Sequence, residues 1–263
     1  MSRLIIFVFA LLAGPAFAQP AVRIAIIIDD LGNSLRLGRQ AVELPGALTY
    51  AVLPQLPHSR EIALRAHDRG KEVMLHLPMQ TSDGHTLGPG GLHAGMSREE
   101  FARAVRANLA AVPHVSGVNN HMGSLLTRRP AAMSWLMQDL KCFYDLYFVD
   151  SRTDMRTVAR AVAHDAGLAN AQRDVFLDNE QDGDYVRSQL RRLIDTARSN
   201  GTAIGIGHPY PETLAVLAEE LPALANQGVQ LVPVSRLVET KRNPRLWHAS
   251  SSPLQTVAKN SKR

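Results

Sequence analysis

Residues 22–53 read VRIAIIIDDLGNSLRLGRQAVELPGALTYAVL, and this segment sets the architecture of the chain. Residues 22–28 form an apolar run that predicts a buried strand. Residues 34–43 have the apolar spacing of a helix, and residues 48–53 form a second strand-like run. A strand, a helix and a second strand with short connections make a crossover unit with parallel strands. The segment therefore predicts an α/β fold.

The same alternation continues along the chain. Further strand-like runs occupy residues 72–77, 115–119, 146–149, 175–177, 202–206 and 229–232. Helical patterns occupy residues 59–69, 97–112, 131–140, 153–166, 185–199 and 211–227. Eight strands without an intervening linker favour a closed or nearly closed α/β barrel over an open sheet. We therefore predict one domain, residues 19–238, with mainly parallel strands.

The first 18 residues have the features of a signal peptide. Arg3 precedes an apolar run at residues 4–13, and small residues at Ala16 and Ala18 form a cleavage site before Gln19. The alternative is an uncleaved membrane anchor, but the run is shorter than the ~20 residues that a membrane span needs. We predict export to the periplasm or the medium, with no transmembrane span in the mature chain.

Residues 239–263 are basic and have no apolar periodicity. They contain six Lys or Arg, one Glu and three consecutive Ser, which predicts a disordered tail. This tail carries a formal charge of +5, the signal peptide carries +1, and residues 19–238 carry −1. The basic character therefore lies outside the core, which argues against a nucleic-acid partner. A contact between the tail and an anionic envelope surface is the alternative to a solvated tail.

Two further features limit the chemistry. The single cysteine, Cys142, excludes an intrachain disulfide and a zinc site built from clustered thiolates, so oxygen and nitrogen ligands remain. Residues 78–96 contain five Gly and two Pro, which predicts a long loop that forms a wall or lid of a site. A phosphate-binding loop is the alternative, but the required Lys followed by Ser or Thr is absent.

Polar residues follow six of the predicted strands. They are Asp29 and Asp30 after the first strand, His76 in the third, Asn119 to Ser124 after the fourth, Asp150 after the fifth, Asp178 after the sixth and His208 after the seventh. In a parallel barrel the carboxyl ends of the strands converge on one face, so we expect these side chains to meet there. The alternatives are helix caps, buried structural histidines, turn residues and ion pairs with Arg152 or Arg173.

These residue types favour metal-assisted hydrolysis. Two adjacent carboxylates resist being charged together unless a cation binds one and leaves the other as a base. A carboxylate with two imidazoles makes an open three-ligand site for Zn²⁺ or a similar ion, and His208 on another strand could act as an acid. A serine hydrolase would use Ser124 or Ser151, but neither lies in a G-x-S-x-G motif.

Six ordered motifs resemble the divergent polysaccharide deacetylase family of bacterial envelopes. They are IIIDDLG at residues 26–32, LHLPM at 75–79, GVNNHMGS at 117–124, FVDSRT at 148–153, VFLDN at 175–179 and GIGHP at 205–209. The resemblance covers about residues 22–238. It implies the distorted (β/α) barrel of carbohydrate deacetylases, which use a divalent metal to remove acetyl groups from sugars.

The resemblance also implies roles for individual residues. Asp29 resembles the catalytic base and Asp30 the metal-binding aspartate, while His76 lies where the first histidine of a His-x-x-x-His ligand pair would fall. His208 resembles the histidine that acts as the acid. The position of the second histidine ligand holds Gln80 instead.

His121, on the next strand, is expected to replace this missing imidazole. The Arg-Pro-Pro-Tyr segment of active deacetylases has no counterpart, and residues 119–124 take its place. Four residues are assigned supporting positions around the histidines or as further ligands: Asp150, Asp178, Asn120 and Ser124.

The sequence thus predicts an exported, metal-dependent carbohydrate deacetylase acting on an envelope polysaccharide or a peptidoglycan-type sugar. Asp30, His76 and His121 would bind the metal, with Zn²⁺ as the expected ion, and an acetylated glycan would be the substrate. The alternative, motivated by Gln80, is a catalytically degenerate barrel that binds a glycan or an envelope partner without turnover.

Overall fold

In the computed structural model, the described residues are 22–144 and 146–242. The strands found there are β1 (Val22–Leu31), β2 (Thr49–Val52), β3 (Glu72–Met79), β4 (Val115–Met122), β5 (Tyr147–Asp150), β6 (Asn170–Gln172), β7 (Val175–Phe176), β8 (Thr202–Gly207) and β9 (Val229–Leu231). The helices are α1 (Leu35–Val42), α2 (Ser59–Asp68), α3 (Arg98–Ala111), α4 (Pro130–Tyr144), α5 (Ala159–Asp165), α6 (Gly183–Asn200), α7 (Pro211–Glu220) and α8 (Val234–Arg242). The predicted signal peptide lies outside the described residues.

The strands form one parallel sheet that curls into a distorted barrel. Its order is β6-β5-β4-β3-β2-β1-β8-β7, and β9 pairs with β1 beside this path. The two ends of the sheet, β6 and β7, are joined by residues 173–174. Arg173 donates its backbone N–H to Asp150 of β5, and Asp174 donates its own to Ile204 of β8. This two-residue link therefore crosses the seam that strand pairing leaves open.

Alternation along the strands separates two apolar layers. One set of side chains packs against the surrounding helices, and the other fills the barrel interior. The interior set from the strands comprises Ala25, Ile27, Ala51, Met74, Tyr147, Val149, Ala171, Ile204 and Ile206. Because both faces of the sheet are covered, the strands are apolar over most of their length. This is why apolar runs in the sequence predicted most of them.

Helix α8 closes the amino-terminal end of the barrel. Val234, Leu237 and Val238 are buried within the interior cluster. The first turn of α8 donates backbone N–H groups to Thr49 and Glu72 at the starts of β2 and β3. The helix continues to Arg242, four residues beyond the predicted domain boundary at residue 238. The remainder of the predicted tail lies outside the described residues.

Two local predictions also differ from the structure. The helix predicted at residues 153–166 forms only at Ala159–Asp165. Before it, the side chains of Asp154 and Thr157 bond to backbone N–H groups of the loop, and such bonds compete with a helix. Strand β6 was not predicted, because its sequence, Asn-Ala-Gln, contains no apolar run.

The predicted glycine-rich loop is present and is fixed at several points. The Gln80 side chain accepts the N–H of Ala94 at 2.8 Å, and the backbone of residues 79 and 92 forms an isolated bridge. Buried Asn108 of α3 donates to the Gly90 carbonyl at 2.7 Å. The loop is therefore a fixed wall beside the carboxyl end of β3. Within the described residues, no helix is both long enough and apolar enough to cross a membrane.

Candidate active site

The predicted site residues continue the interior face of their strands. Asp29 lies two residues beyond Ile27, and His76 lies two residues beyond Met74, so both side chains follow interior apolar residues. His208 has the same relation to Ile206. The barrel interior thus ends in a polar layer at its carboxyl end.

An irregularity in β1 allows Asp29 and Asp30 to face the same site. Strict alternation would point consecutive side chains to opposite faces. The pairing of β1 with β2 shifts between Ile28 and Leu31, and Asp30 has a left-handed backbone with φ of +57°. A bulge of this kind redirects a side chain. Asp29 is buried, while the side chain of Asp30 is 33% exposed.

Three potential metal ligands converge at this end of the barrel. Asp30 Oδ1 lies 2.8 Å from His121 Nδ1 and 3.1 Å from His76 Nε2, and these two nitrogens are 3.1 Å apart. A tetrahedral ion with ligands about 2.0–2.1 Å away separates its ligand atoms by about 3.3 Å. Asp30 Oδ1 is buried, and no hydrogen bond of acceptable geometry satisfies it. The donor set and its spacing therefore fit a divalent metal ion.

Asn119 connects the metal-binding side of the site with Asp29. Its Oδ1 lies 2.8 Å from His76 Nδ1, and its Nδ2 donates to Asp29 Oδ1 at 2.8 Å. Because Asp29 can only accept when ionised, the amide must present its oxygen to His76. His76 then carries its proton on Nδ1 and leaves the Nε2 lone pair facing Asp30 and His121. Neighbours of this kind fix the tautomer of metal-binding histidines.

Burial and charge act in opposite directions on these groups. Burial raises the pKa of Asp29 and outweighs the nearby imidazoles. Burial also raises the pKa of Asp30, but His121 and His76 outweigh it and hold that pKa well below its usual range. Burial lowers the pKa of His76, whereas the charges of Asp29 and Asp30 raise it further than burial lowers it. The pKa values of the two adjacent carboxylates are therefore shifted in opposite directions.

His208 is held on the other side of the site by Asp178. The two side chains are joined at 3.0 Å between His208 Nδ1 and Asp178 Oδ1, and buried Thr213 of α7 donates to Asp178 Oδ2 at 2.8 Å. His208 Nε2 then faces Asp30 Oδ2 at 3.8 Å. Burial lowers the pKa of His208, but Asp178 and the site carboxylates overcome this and raise it to about 9.

Comparison with known proteins identifies the fold and the family. The sequence profile described as divergent polysaccharide deacetylase matches residues 26–238. The chain belongs to this family. The uncharacterized protein YibQ of Escherichia coli K12 is 41% identical over 233 residues, which cover 89% of this chain and 72% of YibQ.

Solved structures share the barrel. An uncharacterized protein of Agrobacterium tumefaciens C58 has a TM-score of 0.80 and 24% identity, over 85% of this chain and 92% of that one. The peptidoglycan deacetylase PdaC of Bacillus subtilis, as a D285S mutant, has a TM-score of 0.54 and 16% identity, over 88% of this chain and 98% of that one. The predicted distorted α/β barrel is confirmed.

In this member of the family, Gln80 does not take the place of a metal ligand. Its side chain holds the glycine-rich loop at Ala94, and its backbone carbonyl accepts N–H groups from Leu125 and Leu126. His121 approaches Asp30 from β4 instead. The next residue, Met122, has a left-handed backbone with φ of +54°, so the chain turns sharply just after His121.

The four predicted supporting residues do not share one role. Asp178 contacts His208 as expected. Asp150 faces the loop after β5, where Arg152 N–H and the Thr157 hydroxyl donate to its two oxygens at 2.9 Å each. The expectation that Asp150 orients a histidine is therefore wrong, because a tight turn after β5 uses both of its oxygens.

Asn120 and Ser124 support the site through the loops. Asn120 accepts the N–H of Ser151 at 2.9 Å and donates to the Met122 carbonyl at 2.8 Å, which joins the ends of β4 and β5. Ser124 accepts the N–H of Ser82 at 2.9 Å and so joins the glycine-rich loop to the loop after β4. Neither contacts the proposed metal ligands.

The sequence placed Asn119 among the polar strand ends but assigned it no role, and Thr213 was not predicted as a site residue. The signal for Asn119 is its position two residues before His121, which places both on one face of β4. Thr213 could have been noticed as a polar residue on the face of α7 that also carries the apolar residues Val216 and Leu217. The aromatic rings of Phe176 and Tyr210, at 5.3 and 5.5 Å from the His208 ring, were also missed.

Proposed function

We propose that this chain is an exported, divalent-metal-dependent hydrolase that removes acetyl groups from an envelope carbohydrate. The convergence of Asp30, His76 and His121 beside the buried carboxylate of Asp29 carries this proposal. Family membership supports the substrate class. The signal-peptide pattern at residues 1–18 supports export.

Asp30 Oδ1, His76 Nε2 and His121 Nδ1 would hold the metal ion. Two imidazoles and one carboxylate leave a coordination position open, which favours Zn²⁺. When bound, such an ion polarises a carbonyl group and acidifies water. Asn119 orients His76, so the ligand set is arranged before binding.

Asp29 is the proposed general base. Its Oδ1 accepts a hydrogen bond from Asn119, whereas no hydrogen bond from the described residues engages its Oδ2, which lies 3.6 Å from His76 Nε2. Burial raises the pKa of Asp29, which makes its carboxylate a stronger base than an exposed aspartate. Oδ2 would take the proton of the attacking water.

His208 is the proposed general acid. Asp178 accepts from Nδ1, so Nε2 faces the site with its proton. A pKa of about 9 keeps the ring protonated at neutral pH. Nε2 would give this proton to the leaving nitrogen or oxygen of the sugar as the bond to the acetyl carbon breaks.

Acetate release from acetylated glycans tests the proposal. We expect release from at least one of a panel of N-acetylated and O-acetylated oligosaccharides, and loss of release with a chelator. Asp29→Asn and His208→Gln should each reduce release by about 10²–10⁴-fold, the usual contribution of an acid or a base. His85→Gln is the matched control, because its side chain is 69% exposed on the glycine-rich loop.

Metal analysis of the same proteins distinguishes a loss of bound metal from a loss of acetate release alone. The purified protein should bind a divalent ion, and Asp30→Ala and His121→Ala should lose it. If none of these proteins binds a divalent ion, the mechanism is wrong.

The second candidate is a barrel that binds a glycan without turnover. The replacement of a family ligand by Gln80, whose side chain holds a loop, favours it. In that case the protein would bind an acetylated glycan and release no acetate with any divalent metal.

We also propose, from composition alone, that the basic residues after 242 contact an anionic envelope surface.

A further inference from the structure

A groove of about 390 Å³ lies between the loop after β5 and helix α5. Its lining includes Arg152 and Met155 from the loop, Arg160 from α5 and Gln172 from the end of β6. It therefore lies along the seam where the sheet ends. The proposed function does not use this groove.

The groove adjoins the end of β4, the strand that carries His121. Ser151 donates its N–H to Asn120, and the Thr153 hydroxyl donates to the carbonyl of Met122 at 2.7 Å. Arg152 lies between these two anchored residues, so its position is set relative to the metal-binding side of the site.

Arg152 has an unusual backbone for its residue type. Its φ of +50° lies in the left-handed region, where glycine would be the least strained residue. A bulky residue retained in such a conformation points to a use for its side chain. The guanidinium contacts Met155 Sδ at 3.6 Å, and no carboxylate of the described residues forms an ion pair with it.

Other positive charges lie close to Arg152. Arg173 donates to the carbonyls of Ser151 and Arg152 at 2.7 and 3.0 Å and stacks on Phe176. Burial and then the charge of Arg152 lower the pKa of Arg173. Arg160 is exposed and forms no ion pair within the described part of the chain. Of the two lining carboxylates, buried Asp150 is occupied by its own loop, and exposed Asp165 lies 3.3 Å from the lining imidazole of His164.

We propose that this groove binds an anionic group, a carboxylate or a phosphate, carried by the glycan substrate. Guanidinium groups recognise both anions through paired, charge-assisted hydrogen bonds. Met155, the large apolar side chain with 78% exposure, lies at the same place and would contact the apolar face of a sugar ring. This inference rests on the proposed function, since it assigns the protein an acidic acetylated glycan.

Binding of matched acidic and neutral glycans tests the inference. The probes are a hyaluronan tetrasaccharide and the same tetrasaccharide with its carboxylates reduced to alcohols. N-acetylglucosamine 6-phosphate and N-acetylglucosamine form the phosphate pair. Affinity is measured by calorimetry with the full chain in Zn²⁺. We expect an acidic probe to bind about tenfold more tightly than its neutral partner, and this preference to shrink as salt is raised.

The variant Arg152→Gln with Arg160→Gln should lose the preference, whereas Arg191→Gln with Arg192→Gln should keep it. Arg191 and Arg192 are also exposed and line a groove, on α6, so this pair controls for general charge effects. A preference for the acidic hyaluronan probe identifies the anion as a carboxylate, and a preference for the phosphorylated sugar identifies it as a phosphate.

Equal affinity for acidic and neutral probes, failure of both acidic probes to bind, or equal loss in the α6 variant would overturn the inference. Because the affinity difference between the acidic and neutral probes is measured separately from acetate release, absence of acetate release bears on the proposed function alone.

Discussion

Asn119 illustrates how one amide can organise two functional groups. It is fully buried and bonds to His76 on one side and Asp29 on the other. Asn119→Ala should weaken metal affinity by about 10–100-fold, the usual effect of removing a group that orients a ligand. Competition with a chromogenic chelator measures this. Asn170→Ala, which removes an amide that bonds to Leu168 in the segment before β6, is the control. An unchanged affinity in Asn119→Ala would show that His76 is oriented by other means.

Gln80 allows a second test at the same scale. Because its side chain holds Ala94, replacing it with the histidine found in related deacetylases should not add a metal ligand. We expect Gln80→His to leave metal affinity within about twofold and to increase proteolysis of the glycine-rich loop, which loses an anchor. A large gain in affinity would instead show that residue 80 can reach the metal.

At the scale of the secondary-structure elements, Asn108 ties α3 to two loops. Its side chain donates to the Gly90 carbonyl and accepts from Gln55 Nε2 at 2.8 Å. Asn108→Ala should lower the free energy of unfolding by about 1–3 kcal/mol, because the two hydrogen bonds of this buried side chain, to half-buried Gly90 and exposed Gln55, are lost. Hydrogen exchange should increase at residues 87–94. Gln40→Ala, at an exposed site on α1, is the control and should change neither.

The elements also show why several sequence predictions failed. Strand β6 contains polar residues at both ends and is defined by pairing with β5, which no local pattern reveals. The segment before α5 contains helix-compatible residues, but the loop after β5 uses Asp150, Asp154 and Thr157 to satisfy its own backbone. Local hydrogen bonds from these side chains to nearby backbone N–H groups therefore replaced the expected helix at residues 153–158.

At the scale of the whole molecule, α8 determines whether the barrel is closed at its amino-terminal end. Burial of Val234, Leu237 and Val238 contributes about 1.5–3 kcal/mol for each side chain, which together is comparable to the total stability of many domains. A chain that ends at residue 233 should therefore fail to unfold cooperatively. A chain that ends at residue 242 should keep the thermal midpoint of the full chain.

Leu237→Ala gives a milder version of the same test. It should lower the free energy of unfolding by about 2–5 kcal/mol, as expected for a buried leucine. Circular dichroism with heat and denaturant measures both results. If the chain ending at residue 233 unfolds like the full chain, the barrel does not depend on α8.

The sequence by itself determined the α/β alternation, the parallel sheet and the strand ends at which the polar residues lie. These follow from local periodicity, because a buried strand must be apolar and a crossover helix must have an apolar face. The same reasoning located Asp29, Asp30, His76, His121 and His208.

Only the tertiary structure decided which atoms meet. The bulge in β1 brings two adjacent aspartates to one site, the turn after β5 draws Asp150 away, and α8 closes the barrel. The tertiary structure also determined which ring nitrogen of each histidine faces Asp30. Apart from the local turn that engages Asp150, these outcomes depend on contacts between residues far apart in the chain, and periodicity carries no information about such contacts.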